Sequence, residues 1–335
     1  GMDPEVPAHP ARPAAPSAAP PGPHATGADG AAGRALLVVG DVVTDVVALH
    51  HGPPAPGTDS TAAIRVVPGG AGANAACWAA HRGCGEVRLL ARVGADTASW
   101  HERELLASGV RPRLVRDAGV PTGTVVCLVD AAAAGERTFL TDSGASVRLG
   151  PEDFGQELLD GVGRLHLSGY LLFSAPGRAL VTVAVASARA RGIPVSLDPA
   201  SAGFLSALGV RRFRELTEGM EVLLPSDAEA CLLTGLSDPA RAAARLSRHV
   251  PLVVVTLGGD GALVARDGAV EARVPAVPTV VRDTTGAGDA FAGAFLAALL
   301  AGAGAREAAE EGCRAGALAV SRVGARPPHG AAQGA

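Results

Sequence analysis

From residue 35 onward the chain alternates between two hydrophobic patterns. Residues 35–39 and 252–257 are nearly unbroken apolar runs, and residues 87–94, 165–170, 194–199 and 221–224 read as further strands that end at glycine or polar turns. Runs of this kind belong to strands covered on both faces. Between them lie segments with apolar residues at helical spacing: 71–81, 98–107, a stretch ending at Arg191, 290–305 and 306–321. Strand and helix in alternation predict a doubly wound α/β domain, its mainly parallel sheet clad by helices on both faces. Two regions break the rhythm. Residues 46–67 and 113–142 carry short alternating strands with no helix between them, which is hairpin patterning. They are expected to form a small β-sheet lid.

One stretch combines backbone and side-chain chemistry. Residues 277–281 are a β-branched run predicted as a strand, and Asp283-Thr284-Thr285-Gly286-Ala287-Gly288-Asp289 leads from it into the apolar helix. The first N–H groups of a helix lack intrahelical partners and sit at its positive end, so this turn is an anion site. Gly286, Ala287 and Gly288 leave room for a phosphoryl group. Asp289 then stands at the mouth as a candidate base toward a hydroxyl. The simpler reading is that it complements the helix dipole.

Composition narrows the classes. Net charge is −4 and aromatic residues make up 3% of the 335 residues, which gives no basis for nucleic acid or an anionic membrane surface as partner. All 29 basic residues are arginine, so Walker-type, protein-kinase and Schiff-base lysines are excluded. Five cysteines without C-x-x-C spacing form neither a disulfide nor a zinc framework, and a cytoplasmic location is expected. The Ala/Pro/Gly-rich residues 1–33 and the tail 328–335 are expected to be disordered. Residues 1–33 show no apolar h-region, so no secretory signal is expected. Residues 290–305 are shorter than the roughly 20 a membrane span needs, and are expected to be a buried helix. Asn74 is the single asparagine.

The run from Asp283 to Asp289 resembles the C-terminal motif of the ribokinase-like (pfkB) carbohydrate kinases, and further motifs follow in that family's order over residues 34–327. The resemblance implies that Asp289 is the catalytic base and that the backbone of Gly286, Ala287 and Gly288 is the anion hole. Asp45, after the first strand, matches a substrate-binding aspartate. Neighbouring Asp41 departs from the family's small residue and is weighed against plain turn chemistry. Gly69, Gly70 and Asn74 match the glycines and asparagine that contact the sugar. Glu229 matches the glutamate that organises Mg²⁺ through water. Ser226 replaces the family's asparagine there, and an N-cap is its alternative reading. Thr256, Gly258 and Gly261 match the nucleotide loop, and Cys313 falls beside the expected adenine site. Asp283 and Thr285, with the loop from Ser321 to Ala325, match the place of a monovalent cation such as K⁺. Asp198, Tyr170, Glu136 and Asp142 are weaker candidates, and His166 reads as a core histidine.

The implied activity is transfer of the γ-phosphoryl group of ATP to a hydroxymethyl group of a small sugar, with Mg²⁺. Three alternatives stand beside it: a nucleoside kinase of the same fold, a sugar- or nucleotide-binding homologue without turnover, and a Rossmann oxidoreductase. The lid segments hold only Phe139 among aromatics, which tilts the reading toward a free sugar. Exposed lid edges are expected to allow a homodimer.

Overall fold

The computed structural model describes residues 33–328. The expected disordered segments lie outside the described residues apart from Gly33 and Pro328. The strands are β1 (Ala35–Val39), β2 (Val43–His50), β3 (Ala63–Gly69), β4 (Val87–Gly94), β5 (Val110–Asp117), β6 (Thr122–Asp130), β7 (Glu136–Gly144), β8 (Val162–Ser168), β9 (Val195–Asp198), β10 (Val222–Leu223), β11 (Leu252–Thr256), β12 (Ala262–Arg266) and β13 (Ala269–Val274). The helices are α1 (Ala71–His81), α2 (Ala98–Ala107), α3 (Ala175–Ala190), α4 (Ala202–Leu208), α5 (Val210–Thr217), α6 (Asp227–Thr234), α7 (Pro239–Leu246), α8 (Ala287–Leu300) and α9 (Ala305–Val320).

Nine strands form the main sheet in the order β13-β12-β11-β10-β9-β8-β1-β4-β5, parallel except for the β11-β12-β13 edge. Successive residues of β1 serve opposite faces, as the pleat requires. Leu36 and Val38 join a core built on α1, α2, α8 and α9, whereas Leu37 and Val39 join one built on α3 to α7. The chain leaves β1 outward through β4 and β5, then returns to β8 on its other side. The crevice beyond β1 and β8 is therefore the switch point at which open α/β sheets take ligands.

The second sheet, in the order β3-β2-β6-β7, is the lid. Two boundaries differ from expectation. Residues 113–116 lie in β5, which pairs in parallel with β4 and closes the main sheet instead of joining the lid. Asp45 lies within lid strand β2, not in a loop after β1.

Residues 277–281 form no strand: the chain from Pro275 to Arg282 is irregular, with Val280 and Val281 exposed. Pro275 and Pro278 remove two backbone donors, so the run cannot sustain a ladder despite its β-branched residues.

Helices α1 and α8 approach closely enough to join the two halves of the site. A Cβ on Gly293 would lie 2.4 Å from the carbonyl oxygen of Ala75, and one on Gly312 would press into the Phe291 ring. Small residues along α1, α8 and α9 permit this spacing. Among the described residues, no helix is long and apolar enough to cross a membrane.

Candidate active site

Three cavities meet at the N-terminus of α8. One of about 540 Å³ is lined by Thr256, Gly258, Gly261, residues 276–279, Cys313 and the turn before α8. A central one of about 190 Å³ is lined by Asp198, Ser226, Glu229, Gly286, Ala287, Gly288 and Asp289. The third, about 560 Å³, lies between lid and core and is lined by Asp45, Gly70, Phe139, Tyr170, Phe204 and Asp289 among others. Asp289 borders the second and third, and Gly288 the first and second.

Asn74 Nδ2–H donates to Asp289 Oδ2 at 3.0 Å. Arg326 fixes the asparagine from behind, its Nε donating to Asn74 Oδ1 at 3.2 Å and its Nη2 to the Gly69 carbonyl at 3.1 Å. An amide whose oxygen receives a guanidinium must present its NH₂ group to the carboxylate. Arg326 was not foreseen from sequence; its signal was only an arginine in the loop after the last helix.

Burial pushes the Asp289 carboxyl well above its ordinary value, Asp198, Asp41 and Asp45 push it further, and the Asn74 bond opposes them. Asp198 is raised to about 7, first by burial and then by Glu229. Asp45 is raised to about 6 by burial, which Arg326 partly offsets. Burial and neighbouring like charges both disfavour the ionised form of a carboxyl group.

The motif glycines have structural reasons as well. Gly70, at φ 102°, starts α1, and a Cβ there would lie 2.4 Å from the Asp41 carbonyl oxygen. Gly69 abuts the Asp45 carboxylate, where a Cβ would come within 2.2 Å of Oδ2. Asp41 accepts from the N–H groups of Ala71 and Gly72 at 2.9 and 3.0 Å and from the Ser168 hydroxyl at 3.0 Å. It anchors the start of α1 and also lines the third cavity.

Ser226 and Glu229 form a capping box on α6, with Glu229 N–H to Ser226 Oγ at 3.2 Å and Ser226 N–H to Glu229 Oε1 at 3.0 Å. Both nevertheless line the central cavity. Thr256, Gly258, Gly261 and Cys313 all line the first cavity. Glu136 and Asp142 line none of the three; Asp142 accepts from the Gly144 N–H at the end of its own strand, β7. His166 is buried against Ser196 at 2.7 Å.

Two ion sites implied by the family resemblance fare differently. The central cavity suits Mg²⁺: Asp198 and Glu229 both line it and feel one another's charge beside the turn before α8. Among the described residues no group of three or more His, Cys, Asp or Glu gathers to hold a metal; Mg²⁺ is commonly held by one or two carboxylates together with substrate phosphates. The monovalent-cation site does not fit. Asp283 Oδ1 accepts from Arg137 Nη2 at 2.6 Å and from Thr285 N–H at 2.9 Å, and Oδ2 accepts from Gly324 N–H at 3.0 Å. A second cation about 4 Å from that guanidinium would be repelled by about 4 kcal/mol at an effective dielectric of about 20. Thr285 Oγ1, buried without a hydrogen-bond partner, is one neutral hydroxyl and does not replace the charge already used.

The model of the pfkB family carbohydrate kinases matches residues 34–330. The chain belongs to the pfkB family. This kinase is 34% identical to a fructokinase of Klebsiella pneumoniae over 79% of its own length and 84% of that protein's. It is 31% identical to a 2-dehydro-3-deoxygluconokinase of Thermoproteus tenax, covering 73% and 77%. Among solved structures, adenosine kinase from Sinorhizobium meliloti superposes with a TM-score of 0.79 at 25% identity, covering 88% and 96%. A protein described as a ribokinase II from E. coli, in complex with ATP and Mg²⁺, does so at 0.77 and 27%, covering 87% and 94%. The kinase is thus a phosphotransferase acting on a hydroxyl group of a sugar or nucleoside.

Proposed function

We propose that this kinase moves the γ-phosphoryl group of ATP to a primary hydroxyl held between lid and core. The observation that carries the reading is Asp289: Asn74 orients it where the acceptor cavity and the phosphate cavity share a wall. The acceptor O–H gives its proton to the Asp289 carboxylate as a new O–P bond forms, and the bond from γ-phosphorus to the β-phosphate's bridging oxygen breaks to release ADP. The N–H groups of Gly286, Ala287 and Gly288 would stabilise charge that develops on the transferred oxygens, that of Ala287 on release from the Thr284 carbonyl to which it donates at 3.3 Å. Gly258 and Gly261 give the nucleotide close access to backbone, and Cys313 lines the same cavity. Mg²⁺, when bound, would be held partly by Glu229 and Asp198 and would neutralise phosphate charge. Asp45 and Gly70 hold acceptor hydroxyls. Closure of the lid excludes water as a competing acceptor. A cytoplasmic location fits the supply of ATP. The exposed lid residues Ile64, Val66 and Leu140 favour pairing of two lids in a homodimer.

The acceptor cavity favours a second reading of the substrate. Tyr170, Phe173 and Phe204 form a ring cluster with centroids 5.1–6.2 Å apart, and lid Phe139 lines the same cavity. The scarcity of aromatics along the lid therefore understates the apolar surface offered to an acceptor. A nucleoside, its base against these rings and its ribose toward Asp45, fits as well as a free sugar. Both can be tested together by ATP consumption against a panel of hexoses, pentoses, 2-keto-3-deoxy acids and nucleosides, with phosphorus NMR of the product. A phosphomonoester on a primary carbon is expected. Turnover of none, with ATP binding intact, would leave the non-catalytic alternative.

A further inference from the structure

Arg137 is the second residue of β7 and shares the lid's inner face with Phe139 and Thr141, which line the acceptor cavity. From there it crosses to the turn before α8 and meets Asp283 at 2.6 Å, the carboxylate almost wholly buried and the guanidinium partly so. Asp283 is the hub of that turn. It accepts the Thr285 N–H within the turn and the Gly324 N–H from the loop after α9. The same loop packs on the turn, since a Cβ on Gly286 would lie 2.7 Å from the Ala325 carbonyl oxygen. The charge of Asp283 thus fixes two segments that together shape the anion hole.

We propose that the guanidinium of Arg137 is the built-in counter-ion of Asp283, so that the anion-hole turn is fixed from the lid and needs no bound monovalent cation. This rests on reading the turn as the phosphoryl site. A guanidinium stays charged at any working pH and offers several fixed donors, so the turn has its positive charge whenever the lid is seated. Because the same strand lines the acceptor cavity, seating an acceptor under the lid and ordering the turn become one event. Arg137 acts through Asp283 and is a positioning residue.

The test uses the full chain and two readouts, melting temperature and turnover, each titrated with potassium chloride against choline chloride at equal ionic strength. The native protein is expected to show no potassium-specific rise in melting temperature and no potassium activation. Arg137→Ala leaves a buried carboxylate without its partner, and a potassium-specific melting shift with activation of about tenfold is expected where an ion can replace the lost charge. Arg137→Lys keeps the charge and is expected to remain indifferent. A potassium-specific shift in the native protein overturns the proposal, as does an Arg137→Ala protein indifferent to potassium, whatever its turnover. The melting readout needs no catalysis. A chain that phosphorylates nothing but shows this cation pattern keeps the ion pair and loses the kinase reading.

Discussion

The two sides of Asp289 are built from different materials. The side proposed for the nucleotide is rich in small residues, with Gly258, Gly261, Gly288, Gly312 and Cys313 lining its cavity beside Val277, Val281 and Phe291. The side proposed for the acceptor is lined by carboxylates and aromatic rings, drawn from β2, β7, α4 and the segment after β8 among others. Backbone amides read a feature common to every nucleotide triphosphate, so glycine spacing suffices there. Acceptors differ in shape, so their side is assembled from separated segments whose side chains vary freely.

If this contrast is right, damage on one side should leave the other intact. The largest separation is expected from Gly288→Val. A Cβ at Gly288 meets nothing within 4 Å, so the variant should fold normally while its side chain fills the phosphate space. Turnover is expected to fall about 10²–10³-fold, in the range of a lost oxyanion donor, with acceptor binding measured by calorimetry unchanged. A smaller effect, at the boundary between the two sides, is expected from Asp198→Asn. The folded-state value of Asp198, about 7 against an ordinary 3.8, is raised. Its contribution to stability is therefore present at low pH and lost as pH rises through about 7. The asparagine variant escapes that loss, so its melting temperature relative to the native protein should climb between pH 5 and pH 8. A gap that stays flat would show that Asp198 is not desolvated as described. The mildest change is expected from Phe204→Ala, which removes one ring of the acceptor cluster. Here KM for the acceptor should rise about tenfold, the loss of one partly exposed aromatic contact, while KM for ATP stays put. An equal rise in both would dissolve the contrast.

The same contrast explains what the sequence disclosed. Local structure was legible: the turn before α8, the glycines at 69, 70, 258 and 261, and the alternation that makes the sheet all rest on residues adjacent in the chain. Long-range geometry was not. Arg326 reaches Asn74 across 252 positions, and Arg137 reaches Asp283 across 146; no local pattern marks either pair. Phe204 and Phe173 carry no local motif that ties them to Tyr170 or to the cavity that they line. The valine run at 277–281 failed as a strand because Pro278 within it and Pro275 just before it outweigh propensity. Ser226 shows the reverse case, a single residue serving both as helix cap and as cavity lining, so that the two readings of it were never exclusive.

The most direct measurement is single-turnover phosphoryl transfer by Asp289→Asn beside ATP-analogue binding by the same protein. The side chain keeps its size and its neighbour Asn74 but can no longer take a proton. Transfer is expected to slow about 10²–10⁴-fold with nucleotide affinity within about twofold of native, a change too small to matter on the scale where tenfold is about 1.4 kcal/mol. Transfer at the native rate would contradict a base at this junction.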